Sequence, residues 1–272
     1  MNAPEETVQT PATSAAIEMR GVSVGAMSDP GKIVVEGIDW TAGLGEFWAV
    51  AGLRGAGKTE FLMMTAGLSA PVKGTYRLFG AEMPMYEESR LAERLRLGLV
   101  FDDGHLFNLR TVFENVALPL RYHRNLSDVE AEPEVMRLLE LTELAPWADS
   151  TPGAMPLSWR KRVALARAII LRPSVLLIDN ALGGLDARDA RWWLGLLDDL
   201  ARGKGPLGEA PVSVIVTSND LRVWEGHAGH FAALSEGRFT VLGSWEELRA
   251  VQHELVRELL PGRPPSQTAT AI

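Results

Sequence analysis

The chain has 272 residues, 46% hydrophobic and 23% charged, with no cysteine. That length suits one large domain or a core with a subdomain, and the missing cysteine excludes disulfides, thiolate metal sites and a cysteine nucleophile. A net charge of −8 and a pI near 5.3 argue against a general nucleic-acid binder. Residues 1–16 are rich in Pro, Thr, Ala and acids. They lack the basic and apolar blocks of a signal peptide and read as a disordered leader. Ile17, Met19 and Val24 predict a half-buried strand, and 32-KIVVEGIDW-40 a second. The segment 46-EFWAVAG-52 predicts a short apolar strand ending on glycine, with Phe47, Trp48 and the nearby Trp40 as sheet core. A helix follows over 58-KTEFLMMTAGL-68, with Met63 and Met64 as core filler, and then a strand over 74-GTYRLFG-80.

From about 87 to 158 the pattern turns helical and more charged. Thr111 with Glu114, and Ser127 with Glu130, have capping-box spacing. Pro133 is expected to kink or restart the second of these helices. The basic run Arg160, Lys161, Arg162 reads as the exposed first turn of another helix. Strand patterns return at 174-SVLLID-179 and 211-PVSVIVTS-218, around a helix over about 187–202 whose Trp192 and Trp193 divide between core and half-exposed surface. A hairpin over 231-FAALSEGRFTVLG-243 precedes a helix capped by Ser244 with Glu247. The tail 261-PGRPPSQTATAI-272 reads as disordered, and no run reaches the ~18 apolar residues of a membrane span. The five histidines show no metal-ligand spacing. The layout predicts an α/β core interrupted by a helical insert.

The strongest chemical pattern is 52-GLRGAGKT-59, a full match to G-x-x-x-x-G-K-[ST]. Gly52, Gly55 and Gly57 let the backbone curl so that successive N–H groups, Ala56 among them, face phosphate oxygens. The helix from Lys58 directs its positive dipole end at the same place. Lys58 reaches the β- and γ-phosphates, and the Thr59 hydroxyl suits Mg²⁺. Asp179 ends a buried strand, where a carboxylate is costly unless paired or metal-bound. With the phosphate loop upstream, Thr59 and Asp179 are expected to hold Mg²⁺ together.

The succession of 52-GLRGAGKT-59, 111-TVFENVALPLRYH-123, 160-RKRVALARAI-169, 175-VLLIDNALGGLD-186 and 239-FTVLGSWEEL-248 resembles an ABC-transporter ATP-binding subunit. The stretch 99-LVFDDGHLFNLRTVFENVALPLRYH-123 is most similar to the Mla-type subgroup, the ATPase of phospholipid (MCE-associated) transport. The resemblance implies a P-loop NTPase (RecA-like) core with an antiparallel β part and a helical subdomain over about 87–158, the whole domain spanning 17–260. It implies ATP and Mg²⁺ as ligands, and a homodimer or a second ATP-binding subunit closing over two nucleotides. It also implies a membrane permease subunit and an MCE-type lipid-binding protein as partners, with no nucleic acid. The chain would lie in the cytoplasm, against the inner or plasma membrane through the permease.

Several positions depart from the family pattern. Asn180 stands where the resemblance implies a catalytic glutamate, Asp102 where it implies glutamine, and Asn219 where it implies a histidine. Ser218 takes that last place if Thr217 is matched instead. The signature falls on Met155–Trp159 without a gap, putting Pro156 in place of a serine. A two-residue gap puts Leu157 and Ser158 at its start. No aromatic stands near 24-VGAMSD-29 to stack on adenine. An amide offers no proton-accepting carboxylate, and losing a positioned base typically costs about 10²–10⁴ in rate. Binding without efficient hydrolysis is therefore the expectation, with Asp102 or Asp103 as the carboxylate able to substitute. The alternative is an ATP-dependent dimerisation clamp or regulatory subunit that never turns over.

Overall fold

In the computed structural model, residues 15–83, 88–205, 208–250 and 259–260 are described. The tail and all but the last two residues of the expected leader lie outside them. Among the described residues, ten strands form one sheet in the order β5-β4-β1-β2-β10-β9-β3-β8-β7-β6. Ala15–Gly25 (β1), Ile33–Gly43 (β2), Lys73–Leu78 (β4) and Ala81–Glu82 (β5) make the antiparallel part. The strands Phe47–Gly52 (β3), Leu97–Val100 (β6), Val175–Ile178 (β7), Ser213–Ser218 (β8) and His230–Ser235 (β9) run parallel. Arg238–Gly243 (β10) completes the predicted hairpin with β9 and joins the two parts through Glu36 of β2.

β3, β7 and β8 are buried at every position. Continuous apolar strands of this kind belong at the centre of a sheet covered on both faces. β3 divides its side chains accordingly. Phe47, Ala49 and Ala51 face one core, while Trp48 and Val50 face the other. The second core packs Phe61, Leu62 and Met64 of helix Lys58–Thr65 (α1) against the antiparallel strands. The first lies under Val112–Arg124 (α3), Asp128–Leu141 (α4), Leu157–Ile169 (α5) and Ala187–Ala201 (α6). A single turn at Leu91–Arg94 (α2) and a short helix at Trp245–Ala250 (α7) complete the set among the described residues. None of the described helices is long and apolar enough to cross a membrane.

Both expected capping boxes form. Thr111 Oγ1 accepts from Glu114 N at 3.1 Å, and Glu114 Oε2 accepts from Thr111 N at 2.7 Å. Ser127 and Glu130 repeat the arrangement, as do Ser244 and Glu247 at α7. Thr111→Ala is expected to cost about 1 kcal/mol, lowering Tm by roughly 2–4 °C in a thermal melt.

Two expectations need correction. Pro133 does not restart α4, which runs unbroken from Asp128 to Leu141. A proline there removes one bond, to the carbonyl of Val129, and that turn is open to water because Val129 is 79% exposed. The basic run before Val163 is not an exposed turn. Lys161 is 1% and Arg162 3% exposed, and only Arg160 is partly open. Lys161 precedes Ala164 and Leu165 by three and four residues, so it shares their buried face. Its burial is tolerated because every donor it carries is used.

Candidate functional site

The loop 53–57 leaves β3 and enters α1 above the C-terminal ends of the parallel strands. Gly55 and Gly57 take φ of 82° and 89°, a region closed to most side chains. A Cβ on Gly57 would also meet Val35 Cγ2 at 2.9 Å, and one on Gly52 would meet the Leu234 carbonyl at 2.7 Å. Gly52 and Ala56 therefore shape the loop from behind, while Gly55, Gly57, Lys58 and Thr59 line a cavity of about 890 Å³. Lys58 Nζ donates to the carbonyls of Gly52 at 2.6 Å and Leu53 at 2.9 Å. Burial holds its ammonium below the usual lysine range, against the opposing pull of Asp179, Asp102 and Glu60.

Asp179 follows β7 and is 5% exposed. Its Oδ2 accepts from Thr59 Oγ1 at 2.6 Å, and its Oδ1 accepts from Thr217 Oγ1 at 2.7 Å. Thr59 and Asp179 are 120 residues apart in sequence, and the adjacency of β3, β8 and β7 brings them together. A hydroxyl and a carboxylate are hard oxygen donors of the kind Mg²⁺ prefers. Among the described residues no group of three His, Cys, Asp or Glu could cage a metal. An ion here would take its remaining ligands from phosphate and water, as Mg²⁺ commonly does. The residues present thus fit a Mg²⁺-triphosphate.

The same cavity receives Asp102, Asp103, Asn180 and Asn219. Asn180 has φ 47°, in the left-handed region that asparagine tolerates better than most residues. Its side chain is seated against Gly183, where an added Cβ would lie 2.0 Å from Nδ2. Nδ2 donates to Asp102 Oδ2 at 3.1 Å, and the backbone N donates to Thr217 Oγ1 at 2.9 Å. Lys161 Nζ lies 2.8 Å from Asp102 Oδ1 and donates to the carbonyls of Asn180 and Gly183, each at 2.8 Å. Asp103 turns instead to its own loop, where His105 N lies 3.1 Å and His105 Nε2 3.0 Å from its Oδ1. His105 stacks on Phe101 at 4.2 Å.

Residues 155–159, where the signature falls, are not among the described residues that line this cavity. Pro156 caps α5, where a missing N–H costs nothing, and Leu157 and Ser158 form its first turn. Leu157 packs on Gly184, in the loop after β7, so that an added Cβ there would meet Leu157 Cδ2 at 3.1 Å. Met27, 60% exposed, stands at the cavity rim in the stretch that lacks an aromatic.

The sequence pointed to the phosphate loop and to Asp179 but not to Thr217 or Lys161. Thr217 shows no local signature; only its place near the end of β8, beside β7, turns its hydroxyl onto Asp179. For Lys161 a signal existed in its helical spacing to Ala164 and Leu165.

A profile described as ABC transporter matches residues 35–183, more than half of the chain. The sulfate/thiosulfate import ATP-binding protein CysA of Methylococcus capsulatus is 36% identical over 220 residues, 79% of this chain and 60% of its own length. The methionine import ATP-binding protein MetN of Rhizobium etli is 30% identical over 233 residues, 85% of this chain and 63% of its own. The spermidine/putrescine import ATP-binding protein PotA of Trichodesmium erythraeum is 32% identical over 80% of this chain and 54% of its own length. The chain thus spans less than two thirds of these relatives. Among solved structures, cbiO1 of Clostridium perfringens, part of the ABC transporter complex cbiONQ, aligns with a TM-score of 0.73 at 21% identity, covering 87% of this chain and 91% of that one. An ATP-binding cassette described as a dimeric post-hydrolysis state bound to ADP and Pi aligns at 0.71 and 24% identity, over 82% and 95% of the two chains. The predicted α/β P-loop core with an antiparallel part and a set of helices is the fold these structures share.

Proposed function

This chain belongs to the ABC transporter family, and from that premise we propose that it is an ATP-binding subunit that holds Mg-ATP and hydrolyses it slowly. One observation carries the reading: Thr59 and Asp179 meet at 2.6 Å beneath the loop that presents Lys58. Lys58 would exchange its two loop carbonyls for phosphate oxygens. Thr59 and Asp179 would hold Mg²⁺, which neutralises charge on the phosphates. Backbone N–H groups of the loop would take the remaining oxygens. Met27 offers the adenine ring a polarisable apolar contact in place of an aromatic.

Slow turnover follows from the amides at Asn180 and Asn219. Neither can accept a proton from water in the working pH range. Asn219 also cannot gain the charge that a histidine gains near pH 7. The proposed partners are a membrane permease, against which the subunit would sit on the cytoplasmic side, and a second ATP-binding subunit or a second copy of this chain. The finer proposal, lipid cargo with an MCE-type partner, is supported by residues 99–123 alone. The relatives above are named for sulfate/thiosulfate, methionine and spermidine/putrescine import.

Calorimetry of the full chain with Mg-ATP tests the central reading. Saturable, Mg²⁺-dependent uptake is expected, and none at all with chain and permease together would overturn it. Turnover of the permease complex stimulated by phospholipid vesicles, and not by sulfate, methionine or spermidine, is the result expected of lipid cargo.

A pH dependence follows from Lys58. Only its protonated form pairs with phosphate, so affinity is fully present below its pKa and lost above it. Because burial lowers that pKa from the ordinary lysine value of 10.5, the alkaline fall in affinity should begin below 10.5. A binding titration across alkaline pH, with Lys58→Met lacking the inflection, checks this.

A further inference from the structure

We propose that Asp102, held by the buried Lys161 and by Asn180, is the carboxylate that orients the attacking water and takes its proton. The inference rests on the Mg-ATP reading above and assigns the group that performs its slow chemistry.

Among the described residues, four carboxylates line the cavity: Glu60, Asp102, Asp103 and Asp179. Asp179 is only 5% exposed, and it meets Thr59 at the place that suits the metal. Glu60 follows Thr59 on α1, beside the residues that suit the metal. Asp103 accepts from His105 within its own loop, and its side chain is 66% exposed. Asp102 differs from all three. Each of its oxygens has one partner, Lys161 at 2.8 Å and Asn180 at 3.1 Å, which leaves each a further lone pair, as in Asp179, but on a carboxylate open to the cavity. Its side chain is 51% exposed and lines the cavity, whereas that of Lys161 is 2% exposed.

Asp102 and its loop are anchored by several contacts from α5. Lys161 spends its three donors on Asp102, the Asn180 carbonyl and the Gly183 carbonyl, tying the end of β6 to the loop after β7. Arg167, six residues further along α5, donates to the carbonyls of Gly104 at 2.9 Å and His105 at 3.0 Å. The carboxylate is therefore fixed across the cavity mouth from two adjoining strands, β6 and β7. Phosphoryl transfer asks mainly for an oriented nucleophile and balanced charge, so placement matters more than base strength. In the step, the water oxygen bonds to the γ-phosphorus as the bond to the β–γ bridging oxygen breaks. That electron pair leaves with ADP. One water proton goes to Asp102, and the other stays on the released phosphate. Lys161 and Asn180 are positioning residues.

The test uses the full chain and measures phosphate release and Mg-ATP affinity side by side. Asp102→Asn should lower kcat by about 100-fold or more while affinity stays within twofold. In Asp102→Gly, added formate should restore turnover and chloride should not, a readout that a merely structural role would not move. Lys161→Met should lower kcat with affinity kept, and Asp102→Glu should retain part of the rate. Turnover of Asp102→Asn within twofold of the unsubstituted chain overturns the proposal, as does a loss that formate leaves unrestored. A chain that takes up Mg-ATP but releases no phosphate overturns it too, and leaves the nucleotide-binding reading standing. Failure to take up nucleotide sinks that reading first.

Discussion

Lys58→Ala should weaken Mg-ATP binding by about 100-fold or more, or roughly 3 kcal/mol, when the full chain is titrated calorimetrically. The size comes from what the ammonium would contact. A charge-assisted bond to a partly desolvated phosphate is about twice as strong as a neutral one. The chain's own stability should change little. Lys58 bonds to the Gly52 and Leu53 carbonyls, and burial already disfavours its charged form. Arginine should not substitute, because its planar fork does not match a site shaped around a compact point charge. Unchanged affinity in Lys58→Ala would place the nucleotide elsewhere and remove the basis for the functional proposal.

Arg162→Met should destabilise the fold by roughly 3 kcal/mol, with a fall in Tm of about 6–12 °C. The guanidinium is nearly inaccessible. Nη1 lies 2.6 Å from Glu143 Oε2, and Nη2 lies 2.9 Å from Asp189 Oδ1. Its carbon sits 3.9 Å from the Trp192 ring centroid and 4.7 Å from that of Trp159. The two ion pairs contribute unequally. Glu143 is 54% exposed, so water replaces its partner at little cost. Asp189 is 17% exposed and would be left as a largely buried, unpaired charge. Adding Asp189→Asn to Arg162→Met should therefore recover part of the lost stability. A shift below 2 °C in the single variant would mean that solvent screens both pairs.

Arg162 also marks where sequence reading runs out. A run of Arg, Lys, Arg before a helix is most often solvated, and nothing in the three letters says otherwise. Burial became possible because α5 starts against the loop after β7, near Glu143 and α6, where carbonyls take two of the Lys161 donors and carboxylates meet Nη1 and Nη2 of Arg162. Pro133 errs in the same direction. The residue type allows a restart, yet the exposed first turn of α4 absorbs the loss of one hydrogen bond and the helix continues. Thr111, Ser127 and Ser244, by contrast, were legible at once, because a capping box is complete within four residues.

By itself the sequence determined the phosphate loop at 52–59, the strands that bracket it, the helix caps and the hairpin over β9 and β10. Each is a local pattern, written in residues close enough to contact one another directly. Only the tertiary structure decided that Thr217 supports Asp179, that Asp102 reaches Asn180 across 78 residues of chain, and that Lys161 is buried between them. Those contacts depend on β6 lying beside β7, and β7 beside β8. Strand order is settled by covering both faces of an entire sheet, a global balance of buried area to which no short run of residues corresponds.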